Sequence, residues 1–164
     1  MSLFLSIKSI ITRFNYIIAL IGALVVFATM FIMAADVSAR FLKLPLPGAV
    51  ELTEIALGIM VFLGWGYTQE QKAHVTIDVV YKKLPSTFRR FLDIINPIIG
   101  LVFMGIIAWI SIDFILYSKA SGEYTENLMI PVWPFKITIL IGAISFCLQL
   151  IMDTIQALQK INKN

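Results

Sequence analysis

Residues 49–67, AVELTEIALGIMVFLGWGY, decide the fold of this chain because they form one long, mostly apolar run. At 1.5 Å of rise per residue, a helix of this length crosses a hydrocarbon core of roughly 30 Å. Pro47 and Gly48 precede the run and mark a helix start. Its only charges, Glu51 and Glu54, are three residues apart and so share one helical face. The stretch predicts a membrane span with two carboxylates near its entrance.

The composition of the whole chain supports a membrane protein. The 164 residues are 59% apolar and only 14% charged, whereas soluble domains carry about 25% charged residues. The single cysteine, Cys147, lies in an apolar run, so it forms no internal disulfide and is expected to pack. The net charge of +3 does not indicate nucleic-acid binding, because no basic cluster is interleaved with aromatic residues.

Three more apolar runs are long enough to span a bilayer. The predicted fold class is therefore an all-α integral membrane protein in a single domain. The four predicted transmembrane helices cover residues 15–36, 49–67, 94–116 and 131–152. A signal peptide is the alternative for the first run, but this run is longer than the usual apolar core of such peptides.

The segments between the runs complete the predicted topology. Residues 2–14 place apolar side chains at helical spacing and predict an amphipathic interfacial helix on the membrane surface. Residues 69–93 predict an interfacial cytoplasmic segment, in which Ser86 is expected to cap a surface helix that leads into the third span. Residues 117–130 form a polar loop, and residues 153–164 form a polar tail.

The basic residues predict the orientation of the bundle. The side with both termini and the 69–93 segment carries nine of the thirteen Lys and Arg residues, and the other side carries four. Cytoplasmic loops are enriched in Lys and Arg, so both termini are expected in the cytoplasm.

Few ionisable residues are candidates for a function. Asp36 and Arg40 are spaced to pair on one helix, and the sequence leaves open whether they form an internal pair or face another subunit. Glu51 and Glu54 are open to cation or proton binding, but their shallow position favours an interfacial role, either simple solvation or, as the favoured specific role, contact with a partner. Whether Asp113 pairs with Lys136 is also left open.

Catalysis and cofactor binding are not predicted. His74 is the only histidine, and with Asp78 alone it does not make a metal site. No CxxC, HExxH, GxSxG or glycine-rich phosphate loop is present. The four basic residues Lys82, Lys83, Arg89 and Arg90 are expected to anchor the chain to anionic lipid headgroups.

Several short motifs occur in an order and spacing that resemble one family. They are Asp36-x-x-x-Arg40, Pro47-Gly48 with Glu51, Gly64-x-Gly66-Tyr67, His74-Val75-x-x-Asp78, Leu84-Pro85 and Ile130-Pro131-x-Trp133. Over nearly its whole length, the chain resembles the small membrane subunit, the DctQ family, of tripartite ATP-independent periplasmic (TRAP) transporters.

The resemblance implies a sodium-driven transporter of an organic acid, such as a C4-dicarboxylate or a sialic acid, in the bacterial inner membrane. It implies two protein partners, a large elevator-type membrane subunit and a periplasmic substrate-binding protein. The substrate and sodium sites are expected in the large subunit, so no cofactor is assigned here. The chain itself is expected to act as a scaffold, with Asp36, Arg40, Glu51 and Glu54 at or near the partner contact.

Two other functions remain alternatives at this point. A small self-assembling exporter would use Glu51 and Glu54, although it would be expected to hold a carboxylate deeper in the bilayer. A membrane anchor of a redox complex would usually need two axial haem ligands, often histidines, within the membrane, and the chain has only His74.

Overall fold

A computed structural model describes residues 2–44, 46–72 and 85–161 of the chain. This part of the chain is helical apart from its turns and one isolated bridge between Tyr124 and Pro131. The helices are α1 (Ser2–Phe41), α2 (Ala49–Glu70), α3 (Ser86–Ser121) and α4 (Trp133–Ile161). All four are long and apolar enough to cross a membrane, which confirms the all-α membrane fold.

The first helix is longer than expected. Residues 2–14 and 15–36 belong to one uninterrupted helix of 40 residues, about 60 Å long and so about twice the thickness of a hydrocarbon core. The predicted surface segment is thus the beginning of α1 and not a separate helix. The physical reason is that no glycine or proline occurs before Gly22, so nothing in the sequence breaks the helix between the two parts.

The other helices also extend past the predicted spans. Gln69 and Glu70 belong to α2, α3 continues to Ser121, and α4 continues to Ile161 through most of the expected polar tail. The spans were drawn from the apolar runs, but a helix continues into polar sequence until a residue ends it. Gly122 does so for α3: it adopts φ 62°, and the amide of Glu123 then donates to the Ser118 carbonyl, as in a Schellman motif.

The beginning of α3 corrects a second expectation. Ser86 is the first helical residue, and Pro85 occupies the capping position with no side-chain cap. The Pro85 carbonyl accepts hydrogen bonds from the amides of Phe88 and Arg89. A proline can take this position because its missing N–H would have had no helical partner. Pro97 lies inside α3, which continues through it.

The helices pack side by side in the order α1, α2, α4, α3. The main interfaces join α1 to α2, α2 to α4, and α4 to α3, with a small additional contact between α1 and α4. The last helix of the chain therefore lies between its second and third helices. Successive helices run in opposite directions, which brings both termini to one end of the bundle. This end is called the inner end below, and the end with residues 42–48 and 122–132 the outer end.

Two glycines allow α2 and α4 to approach closely. A Cβ atom added to Gly142 would lie 2.1 Å from the carbonyl oxygen of Phe62, and one added to Gly66 would lie 1.8 Å from the Ser145 Oγ. A side chain at Gly142 would collide with the backbone of α2, and one at Gly66 would displace the Ser145 and Asn15 side chains. Small residues at helix contacts are typical of membrane bundles, where close van der Waals packing holds the helices together.

Candidate functional site

The predicted Asp36–Arg40 pair is present at the outer end of α1. The Asp36 side chain is buried, and one of its carboxylate oxygens accepts a 2.8 Å hydrogen bond from Arg40 Nε. The other oxygen accepts a 2.8 Å bond from the backbone amide of Leu46. Asp36 therefore ties the end of α1 to the segment that leads into α2. The Arg40 side chain remains 57% exposed, so its guanidinium group is accessible to a neighbouring molecule.

Glu51 binds the other outer segment to the start of α2. Its Oε1 atom accepts hydrogen bonds of 2.7 Å from both the backbone amide and the side-chain Nδ2 of Asn127. Its Oε2 atom accepts a 3.2 Å bond from the amide of Leu128. Gly48, with φ 80°, lies under Leu128, and an added Cβ would be 2.3 Å from the Leu128 Cγ. The hydrogen bonds between Glu51 and Asn127 were not predicted, because the sequence contains no signal that pairs these two residues.

Glu54 differs from Glu51 although the two share one helical face. Its side chain is exposed and makes no hydrogen bond or ion pair with any residue that the structure describes. It lies on a cleft of about 480 Å³ at the outer end, whose wall also includes Tyr124 and Glu126. Of the two carboxylates, Glu51 is thus engaged within the chain, and Glu54 is open to the surroundings.

Lys136 pairs with Glu123 and not with Asp113. Its Nζ atom lies 2.5 Å from Glu123 Oε2, which also accepts a 2.7 Å hydrogen bond from Ser118. These two donors stabilise the charged carboxylate and lower the pKa of Glu123 below its ordinary value. Glu123 thus links residues 122–132 to α3 through Ser118 and to α4 through Lys136, and Glu51 links the same segment to α2.

A buried polar cluster at the inner end was missed by the sequence reasoning. Ser145 Oγ donates to Asn15 Oδ1 at 2.7 Å, and Asn15 Nδ2 donates to Gln149 Oε1 at 3.3 Å. Gln149 Nε2 donates to Asp153 Oδ1 at 3.3 Å, and Gln69 Nε2 donates to Asp153 Oδ2 at 2.8 Å. The chain of bonds joins α1, α2 and α4. The signal was available in the sequence, since Asn15 and Gln149 are amides within or beside apolar runs.

Part of the predicted set falls outside the described residues. His74, Asp78, Lys82 and Lys83 lie there, so their predicted roles stay predictions. Arg89 and Arg90 belong to the beginning of α3, at the inner end. Within residues 2–44, 46–72 and 85–161, no group of three or more His, Cys, Asp or Glu side chains is placed to hold a metal ion.

The charges of the spans lie close to their ends. No Asp, Glu, Lys, Arg or His occurs in the central segments 17–35, 55–69, 94–112 and 137–152. Hydroxyl groups in these segments bond mainly to their own helices: Thr29 donates to the Val26 carbonyl, and Ser111 donates to the Ile107 carbonyl. Such bonds satisfy a hydroxyl in an apolar environment without creating a polar path across the membrane.

Residues 29–160 match the sequence profile of the DctQ component of tripartite ATP-independent periplasmic transporters. This match covers most of the chain. It includes all of α2 and α3, nearly all of α4 and the last third of α1. The chain belongs to the DctQ family. DctQ proteins are small permease subunits, which are transport components and not enzymes. With its four spans, this member is a multi-pass protein of the inner membrane.

A curated relative agrees with this assignment. The C4-dicarboxylate TRAP transporter small permease protein DctQ of Rhodobacter capsulatus is 30% identical over 99 residues. The aligned part is 60% of this chain and 44% of the relative, so the chain matches less than half of that protein's length.

Proposed function

We propose that this DctQ subunit is the stationary scaffold of a sodium-driven organic-acid transporter. One observation carries the proposal: the central segments 17–35, 55–69, 94–112 and 137–152 hold no Asp, Glu, Lys, Arg or His side chain. A hydrophilic substrate needs polar groups along its path. These spans offer no such path, so the substrate and sodium sites belong to a larger membrane partner.

The outer end supports a role in receiving a soluble protein. The bonds from Asp36 to Leu46 and from Glu51 to Asn127 fix both outer segments to the spans. Fixed loops lose little conformational entropy when another protein binds them. We propose that residues 41–48 and 117–130 contact the periplasmic binding protein, and that both termini lie in the cytoplasm.

The proposed substrate class is supported by the family and the relative alone. The relative's name specifies a C4-dicarboxylate transporter, and a C4-dicarboxylate or another organic acid is proposed for the complex that contains this chain. The selective groups would lie in the partners, because this chain presents no buried cationic site among its described residues that could hold a carboxylate.

Co-purification with the large subunit tests the scaffold proposal. Glu54→Lys should weaken recovery of a co-expressed large subunit in mild detergent, because Glu54 is exposed and has no partner within the described chain. Glu51→Lys should disturb residues 125–128 as well, and therefore does not isolate the contact. Asp113→Lys is the matched control, an exposed acidic residue near the outer end of α3.

Equal recovery of the large subunit with Glu54→Lys and with the unaltered chain would contradict the placement of Glu54 at the contact. Sodium-driven uptake in vesicles that contain this chain alone would overturn the scaffold function itself. That second result would favour a self-sufficient transporter that uses Glu54. Against it stands the position of Glu54, one and a half turns from the outer end of α2.

A further inference from the structure

A cleft of about 560 Å³ opens at the inner end between α3 and the α2–α4 pair. The helices α3 and α4 touch at its deep limit, where a Cβ added to Gly100 would lie 3.1 Å from Leu150 Cδ1. Nearer the inner end, Gln69 of α2 and the following Lys72 join the lining. Among the described residues, the cleft is therefore a wedge between three helices.

The wall of this cleft changes from apolar to polar along its depth. The deep part is lined by Gly100, Phe146 and Leu150, next to Pro97. The part nearer the inner end is lined mainly by polar and charged side chains, with Leu92 and Ala157 beside them; the polar ones are Gln69, Lys72, Asp93, Asn96, Asp153 and Gln156. A phospholipid has the same profile, with an acyl chain that lies in the membrane and a polar headgroup at its surface.

The charge of Asp153 selects the kind of headgroup. Its two oxygens accept hydrogen bonds from the neutral amides of Gln69 and Gln149, and no Lys or Arg of the described residues pairs with it. A carboxylate that is bonded only to neutral amides gains further stabilisation from a cationic donor. Because a carboxylate has about four acceptor positions, Asp153 has room for a further donor, and a cationic donor would neutralise it.

We propose that this cleft binds a phospholipid with a primary-ammonium headgroup, whose ammonium group lies at Asp153 and whose phosphate lies toward Lys72. A primary ammonium donates hydrogen bonds to the carboxylate, which a trimethylammonium group cannot do. The lipid would fill the wedge and hold α3 against α2 and α4. This site is a property of the chain itself and does not depend on its role in transport.

Native mass spectrometry of the purified full chain tests the site. The chain would be freed of lipid in detergent and titrated separately with phosphatidylethanolamine, phosphatidylcholine and phosphatidylglycerol of identical acyl chains. We expect one tightly retained phosphatidylethanolamine, about tenfold preferred over the other two, which corresponds to one charge-assisted hydrogen bond.

Two variants locate the bound lipid. Asp153→Asn should abolish the preference, whereas Asp113→Asn, the matched change at the opposite end, should keep it. Ala157→Phe fills the cleft from its wall and should reduce retention of all three lipids. It serves as the second test if Asp153→Asn does not fold, as judged by its circular dichroism.

Three results would overturn the proposal. They are equal retention of the three lipids by the unaltered chain, an unchanged preference in a folded Asp153→Asn variant, and unchanged retention in a folded Ala157→Phe variant. Equal retention would identify the lipid as part of the unspecific layer around any membrane protein.

Discussion

At the scale of single residues, Gly66 has no space for a side chain, whereas Gly64 faces open space on the same helix. We expect Gly66→Ala to lower the free energy of unfolding by about 1–3 kcal/mol, because the new methyl group collides with Ser145 Oγ. Gly64→Ala is the matched control and should leave stability unchanged or slightly higher. Thermal unfolding in detergent, followed by tryptophan fluorescence, measures both.

If Gly66→Ala and Gly64→Ala unfold at the same temperature, the close contact between α2 and α4 at Gly66 would be refuted.

Glu123 gives the outer end a dependence on pH. Its pKa in the folded chain lies below the ordinary value of 4.5, because Lys136 and Ser118 hydrogen-bond the carboxylate. The stabilisation is therefore fully present above about pH 4.5 and is lost as the pH falls through the lower folded pKa. We expect a small effect, since the Glu123 side chain is 44% exposed.

Thermal midpoints between pH 6 and pH 3 test this dependence. The unaltered chain should lose more stability on acidification than Glu123→Gln, which lacks the titrating group. Glu126→Gln, an exposed acid in the same segment, should behave like the unaltered chain. Parallel curves for Glu123→Gln and the unaltered chain would rule out the contribution of Glu123.

At the scale of helices, Asn15 joins α1 to α4 through hydrogen bonds to Ser145 and Gln149. Asn15→Leu leaves those two groups without a partner in an apolar environment, so we expect a loss of about 1–3 kcal/mol. Thr29→Val is the control, because the Thr29 hydroxyl bonds only to its own helix. Unfolding of both variants in detergent measures the difference, and equal stability would contradict a linking role for Asn15.

The sequence predicted the helices much better than their contacts. Apolar runs report where a chain crosses a membrane, and so α2 was placed correctly at Ala49. The i, i+4 spacing of Asp36 and Arg40 is a local relation, and their pair was found. The bonds of Glu51 to Asn127 and of Asn15 to Ser145 join residues that are distant in the chain. No periodicity records such pairs, because they depend on which helices become neighbours.

At the scale of the whole molecule, the side-by-side packing leaves α1 and α3 at the two edges with broad apolar surfaces. Phe31 of α1 is 63% exposed, and Trp109 of α3 is 74% exposed. A compact square bundle would cover more of this surface. A row of helices that is not closed between α1 and α3 instead presents wide faces to lipid and to a neighbouring subunit, which suits the proposed scaffold in a larger membrane complex.

The position of α4 between α2 and α3 also has a consequence for biosynthesis. A ribosome delivers the spans to the membrane in chain order, so α1 and α2 can form their antiparallel pair early. The third span has no main interface with either earlier span. Its main neighbour is the fourth span, so it cannot pack fully before that span is inserted. Packing of α3 therefore requires the last helix, and in a chain truncated before Trp133 the third span would lack its main neighbour and be a target for cellular proteases.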